Sequence, residues 1–575
     1  MERRLLLVFA LTFLVIILFQ PILKRYLPQA PVSPAKTETQ SPSPTPPPQT
    51  PSSAPEVTQA KSSVLNTAVK QAAEETESVV ENDLYRITFT NRGGQVKSWV
   101  LKKFNDNEGH PLELVNRATV DKFGRPLSLW TYDETLRNQL NSALYVASGT
   151  GTLKLPTELT LEYADQNLDV RKVFRFDRTY VIHVETSVVS HGSNVAAYPM
   201  WPAGFGDQDT PAGYAASRIE YQLNSSIERI AFKKVSGGNT LAVPFDWMAT
   251  TDQYFAATFI PDDIQSAVAV TLRNSIDIPK DPGKPNQEIT RVDFLGVAVG
   301  NPKGTTTERI YVGPKELSTL ESVSVPTIAD KEPDLRGLVN FGFFGVIARP
   351  LFIWLRWTYS APLIGVHNWG WAIVIQTLII NLVLLPLRIS SMKSALKMQK
   401  IQPQMNAVKE KYKKYGMRDP RRQEMNTEIG ELMKREGVSP VGGCLPMLIQ
   451  MPFLFAYYGM LGAALDLRQA HWMWIKDLSS ADPYLILPIL IIVTGLATQR
   501  MTPQAGMDPS QQKMMNLVMP IMFGFISYRL AAGLCLYWCE SSAIAIVQQL
   551  VMNKTSLGRE MREMALKRAR KKEKK

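Results

Sequence analysis

Apolar residues recur along this chain with more than one period. Residues 5–23 are apolar save Thr12, Gln20 and Pro21, with Arg3 and Arg4 before them and Lys24 and Arg25 after. The run is long enough for a membrane-crossing helix. No small-x-small cleavage site follows, since the nearest candidate, Ala30, precedes Pro31. A retained anchor over 1–28 is therefore expected, with a cleaved signal peptide as the rival. From 82 to 320 the period is two. Segments 85–90, 159–163, 170–176, 180–189, 266–272 and 291–299 alternate, and Asn91-Arg92-Gly93-Gly94 and Ser236-Gly237-Gly238-Asn239 punctuate them. That pattern predicts an all-β super-sandwich domain.

Beyond 337 the apolar residues run together. Residues 341–357 are apolar and aromatic but carry Arg349, Pro350 and Arg356. Rings beside arginines suit a helix lying in the membrane interface, here 337–366. Candidate spans follow at 368–387, 443–464, 484–498, 514–528 and 533–552, each near the roughly 20 residues a crossing needs. The fold expected is multi-domain: an α-helical polytopic membrane domain of six spans plus the β domain. Within the five-helix core, 367–557, residues 391–437 read as a hairpin of two helices, 391–415 and 420–437. Residues 29–81, opening on a Pro/Ser/Thr-rich stretch, read as a solvated linker.

Charge tests this layout. Of the net +12, residues 388–439 carry +7 and residues 552–575 another +7, leaving the remainder at −2. With six crossings both basic segments fall on the side of Arg3 and Arg4, with the basic tail 558–575. The β domain and the loop 463–483, which has two basic and three acidic residues, fall on the other. The positive-inside rule is satisfied, with both termini cytoplasmic. Cys444, Cys535 and Cys539 all sit in apolar segments and read as small buried hydrophobes. His110, His183, His191, His367 and His471 show no metal-ligand spacing, and no Gly-x-x-x-x-Gly-Lys loop exists. Neither catalytic residues, metal nor cofactor is expected.

The C-terminal third carries Asn368-Trp369-Gly370, Leu385-Pro386-Leu387, Gly442-Gly443-Cys444-Leu445-Pro446, Gln450-Met451-Pro452, Trp474-Ile475-Lys476-Asp477-Leu478, Asp482-Pro483-Tyr484, Gln511-Gln512-Lys513-Met514-Met515 and Gly533-Leu534. In this order and spacing the set resembles the YidC membrane protein insertases of bacteria with two membranes. Tyr311-Val312-Gly313-Pro314-Lys315-Glu316 resembles the segment that closes the family's periplasmic domain. The resemblance implies a non-enzymatic insertase and membrane chaperone acting on nascent membrane proteins, alone or with the Sec translocon. It also implies a hydrophilic groove among the last five helices, open to the cytoplasm and to lipid.

The family's groove usually holds an arginine in the second span, and here that position is Asn381. Gln376 and Thr377 add polar atoms to the same span. Thr377 matches a family contact position, as does Trp538, where the family more often shows tyrosine. Arg388, nearly two turns beyond Asn381, either reaches back into the groove or snorkels to headgroups. Glu540 is costly inside a span unless neutral or paired; a hydrogen bond to Gln376 is one expectation, a solvated pocket the other. In the hairpin, Met392, Met398 and Met405 either capture emerging apolar segments or pack the hairpin itself. The tail suits ribosomal RNA phosphates or anionic membrane lipids. A secondary transporter or channel, and a structural scaffold, are the rival functions; no inverted repeat supports the transporter.

Overall fold

The computed structural model describes residues 69–208, 210–224, 226–230, 232–280, 288–326, 334–362, 365–415, 419–438, 445–501, 514–556, 558–560 and 563. The anchor predicted over 1–28, most of the linker and most of the basic tail lie outside them. The chain divides into two compact units, one ending at Val339 and one resuming at Asn340.

The first unit is built of β-sheets. Its largest sheet runs in the order Ser226–Ile230, Arg218–Leu223, Trp247–Thr251, Phe255–Pro261, Thr306–Pro314, Val181–Ser190, Leu168–Phe176, Thr157–Ala164 and Val146–Ala147. Alternation sets its faces: in Leu168–Phe176 the side chains of Leu168, Val170, Phe174 and Phe176 turn inward. A second sheet is centred on the hairpin Val268–Pro279 and Ile289–Gly300. Thr250 Oγ1 of the first sheet donates to Leu295 O of the second at 2.9 Å. The third sheet starts inside the stretch read as linker. Glu77–Glu81 alternates exposed and buried positions, pairs antiparallel with Tyr85–Thr90 and parallel with Gly151–Leu153. Ser78 and Val80 supply an inward face, so the linker reading fails at its last five residues.

Lys172 and Glu220 are two of the charged side chains buried inside this unit. Lys172 is fully buried and its Nζ donates to Gly93 O, Gly94 O and Leu127 O at 2.8, 2.9 and 3.1 Å. Burial holds its pKa down at about 7. Glu220 is buried and pairs with Arg229 at 2.9 Å, and Arg229 also donates to Gly337 O at 2.8 Å.

The second unit is helical, with α1 (Gly345–Ser360), α2 (Trp369–Val383), α3 (Leu385–Lys411), α4 (Arg421–Arg435), α5 (Leu445–Ala463), α6 (Ile486–Met501), α7 (Met519–Ser527) and α8 (Ala532–Lys554). Helix α1 buries Ala348, Leu351, Phe352 and Leu355 and turns Val346, Ile353 and Trp357 outward. Helix α8 packs against α2, α5 and α6, and α1 against α2 and α5. Among the described residues α8 alone is long and apolar enough to cross a membrane, or two helices are if α2 and α3 count as one bent span. Six spans are thus not visible as six long helices; the break at Leu384 and the shorter α6 and α7 account for much of the shortfall. The proline Pro386 sits in the first turn of α3, where no amide is needed, so a new helix starts as soon as α2 ends.

One end of this bundle is stitched by backbone bonds. Asn368 caps α2 by accepting from Trp371 N at 3.1 Å and donates Nδ2 to His471 O at 3.0 Å. Trp472 and Ile475 exchange two bonds of 2.8 Å, and Gly533 N and Ala532 N donate to Leu478 O and Ser480 O at 2.9 and 2.7 Å. Buried Asp482 accepts from Leu487 N at 2.7 Å and starts α6. At the other end α3 and α4 pack on each other through Ile401, Met405, Met425, Ile429 and Leu432.

Candidate functional site

Helix α2 is apolar apart from Gln376, Thr377 and Asn381. Gln376 points about 100° away from its neighbour Thr377, whereas Thr377 and Asn381 are one turn apart and share a side of the helix. That side meets α8. Gln376 and Thr377 are fully buried. Gln376 Nε2 donates to Leu351 O of α1 at 2.8 Å, and its Oε1 accepts from the hydroxyl of Tyr457 on α5. Tyr457 stacks on Tyr537 of α8 with ring centroids 4.2 Å apart. Three helices therefore close on one amide.

Farther along α2 the contacts lengthen. Asn381 Nδ2 donates to Thr377 O at 2.9 Å and to Ser541 Oγ of α8 at 3.4 Å. Gln548 Nε2 donates to Asn381 O at 3.3 Å. Arg388 Nη1 donates to Gln548 Oε1 at 2.8 Å and Nη2 to Ala545 O at 3.5 Å. Together Asn381 and Arg388 face Ser541 and Gln548 along a polar seam, which ends where Gln376 holds Tyr457 against Tyr537. The bonds between helices α2 and α8 are at the long limit of the interaction, whereas those at Gln376 are not.

This arrangement alters several expectations. An open, wet groove at Gln376 and Thr377 is not what the fold provides: both are fully buried, α1 and α5 take up the Gln376 amide, and the Thr377 hydroxyl bonds to Ile373 O of its own helix. The hydrogen bond expected between Glu540 and Gln376 is absent: Leu351 and Tyr457 hold both ends of that amide. Arg388 neither reaches back to the Asn381 side chain nor stands free, but crosses to α8. Trp538 lies edge-on to Phe523 of α7 at 5.0 Å, around the helix from the seam. The methionines serve packing: Met405 and Met398 join the α3–α4 core, and buried Met392 packs with Leu396 and Met552. The lysines between them take the solvated face.

Tyr457, Tyr537, Ser541 and Gln548 escaped the sequence reading. The spacing 537, 541, 548 on α8 is a helical stripe that carried the signal; Tyr457, one of two adjacent tyrosines in an apolar run, carried none. In the β unit, Asp106, Glu108 and His110 have ligand atoms within 4.8 Å of one another on an exposed turn. Their proximity alone assigns no metal.

A family model described as 60Kd inner membrane protein matches residues 360–559, and one described as YidC periplasmic domain matches residues 77–354. A membrane protein insertase YidC of Geobacter sp. (strain M21) is 32% identical over 510 residues, spanning 83% of this chain and 85% of the relative. That of Methylobacillus flagellatus is 29% identical over 494 residues, spanning 83% and 84%. An active YidC insertase crystal structure with the first transmembrane domain resolved is 18% identical, covers 85% of this chain and 95% of its own, and has a TM-score of 0.33.

Proposed function

The chain belongs to the YidC family of membrane protein insertases, and from that premise we propose that a client's polar segment enters between α2 and α8 while its apolar segment leaves along their outer faces. The function is insertion of proteins into the membrane. The observation that supports this route is the graded seam. Moving a polar segment through hydrocarbon is expensive because each unpaired group costs several kcal/mol. Between α2 and α8 a segment meets Asn381, Ser541 and Gln548, whose mutual bonds of 3.3 and 3.4 Å are weak and readily exchanged. At Gln376 the path is blocked by tighter bonds and by the Tyr457–Tyr537 stack. Leu382 and Val383 on α2, and Leu550 and Val551 on α8, are more than half exposed and give the apolar segment a surface to follow. Its transfer to lipid and the membrane potential drive the step.

The same reading takes the chain as a six-span protein of the inner membrane, with the 1–28 anchor, both termini cytoplasmic and the β unit outside. It takes the Sec translocon as a partner for some clients, and the ribosome or anionic lipid as partners of the basic tail. The direct test is the purified full-length protein in liposomes with a single-span client. Protease protection of the client is expected, and cysteines at Asn381 and Ser541 should cross-link its polar tail. Solute flux without protection would make it a transporter, and cross-links confined to positions such as Phe525 would move the route elsewhere.

A further inference from the structure

Glu540 lies a little over two turns into α8, roughly 12 Å from its start. Its Oε2 is buried and has no hydrogen-bond partner. The side-chain donors placed near it have other partners. Thr377, whose hydroxyl comes within reach of the carboxylate, donates that proton to Ile373 O at 2.7 Å. The nearby Tyr457 hydroxyl is committed to Gln376. Asn381 gives its amide protons to Thr377 O and Ser541 Oγ. Arg388, the base next along the seam, is engaged by Gln548 and Ala545. Among the described residues Glu540 makes no salt bridge. A buried acceptor with no donor is a costly state that folded proteins rarely keep without use.

We propose that Glu540 is a specificity-determining residue whose free oxygen receives a donor from the client, so that polar tails bearing lysine, arginine or a free terminal amine are favoured over acidic ones. This inference rests on the α2–α8 route proposed above. An ammonium or guanidinium beside a carboxylate makes a charge-assisted bond about twice as strong as a neutral one. An aspartate in the tail brings a like charge to the same place and is disfavoured.

The test uses full-length protein in liposomes without a membrane potential, so that no field sorts the tails. Three versions of one single-span client carry lysine, glutamine or aspartate beside the apolar segment, and insertion is read by protease protection. The wild type should insert the lysine client about tenfold better than the aspartate client, the size of one charge-assisted bond. Glu540→Gln should bring that ratio to about one, and Glu540→Asp, which keeps the charge, should restore most of it. An unchanged ratio in Glu540→Gln overturns the inference while leaving the insertion route standing. A ratio lost equally in Glu540→Asp also overturns it, because shape rather than charge would be responsible. A wild type that inserts none of the three overturns the route itself.

Discussion

Removing the Gln376 amide tests whether the closed end of the seam is held by hydrogen bonds. In Gln376→Leu the volume is nearly kept, but the Tyr457 hydroxyl loses its acceptor and Leu351 O loses one donor. Leu351 O lies inside α1 and retains its helical bond, so the loss falls mainly on the fully buried Tyr457 hydroxyl. A buried hydroxyl left unpaired costs about 1–3 kcal/mol in a water-soluble interior. Bonds between helices in a bilayer average nearer 0.6, with a maximum of about 1.7. Because the site is enclosed by protein on three sides, we expect about 1–2 kcal/mol. Tyr457→Phe should cost a similar amount by stranding the Gln376 carbonyl. The double variant should cost less than the two together, with a coupling of about 1 kcal/mol. Unfolding in mixed micelles, followed by tryptophan fluorescence, measures all three. If the single variants fall within about 0.3 kcal/mol of wild type, or the double variant is additive, the amide does not hold the three helices and the blocked end of the route loses its basis.

Other perturbations probe the scaffold. Lys172 has a folded pKa of about 7, below its ordinary 10.5, so the unfolded chain binds more protons between those values. Stability of the β unit should therefore rise with pH from 7 to 10.5, by at most about 1.4 kcal/mol per pH unit, and be lowest below 7. Lys172→Met should remove that slope in denaturant titrations at several pH values; an unchanged slope refutes the assignment. Glu220→Gln leaves Arg229 without its counter-charge and should destabilise the β unit by about 3 kcal/mol, read by the same titration; a change under about 1 kcal/mol would mean solvent screens the pair. At Gly459 an added Cβ would sit 2.4 Å from Phe341 O, a backbone atom that cannot swing aside. Gly459→Ala should cost about 1–3 kcal/mol, whereas Gly462→Ala, with nothing within 4 Å of the new carbon, should not; equal thermal shifts in the two would refute the contact.

The strands that alternate were legible in advance. The predicted 85–90 coincides with Tyr85–Thr90, and 291–299 lies within Ile289–Gly300. Phe255–Pro261 was not, because every residue in it is buried and no alternation marks a strand covered on both faces. Val268–Pro279 extends well past the predicted 272, where Arg273, Asn274 and Ser275 look like a loop but keep pairing with Ile289–Gly300. The second hairpin helix, which the sequence predicts from 420, runs over Arg421–Arg435. The first starts six residues before the predicted 391, since Pro386 initiates rather than ends it. In the seam, polar atoms on α2 stood out against their apolar neighbours. Their partners did not: Tyr457 is 81 residues away and Ser541 160. Nothing in a single sequence states which distant helix face a residue meets.

The stitched end of the helical unit has a mechanical consequence. Backbone bonds tie the 470–480 loop to the first turn of α8, and the Asn368 side chain ties it to α2, so separating those helix tips breaks several amide pairs at once. The α3–α4 hairpin is held by its own apolar core and meets α8 through Met392 and Arg388, away from that corner. On the route proposed above the bundle is a clothes-peg, held shut at the tryptophan-rich tip, so a client is expected to enter from the jaw at Arg388.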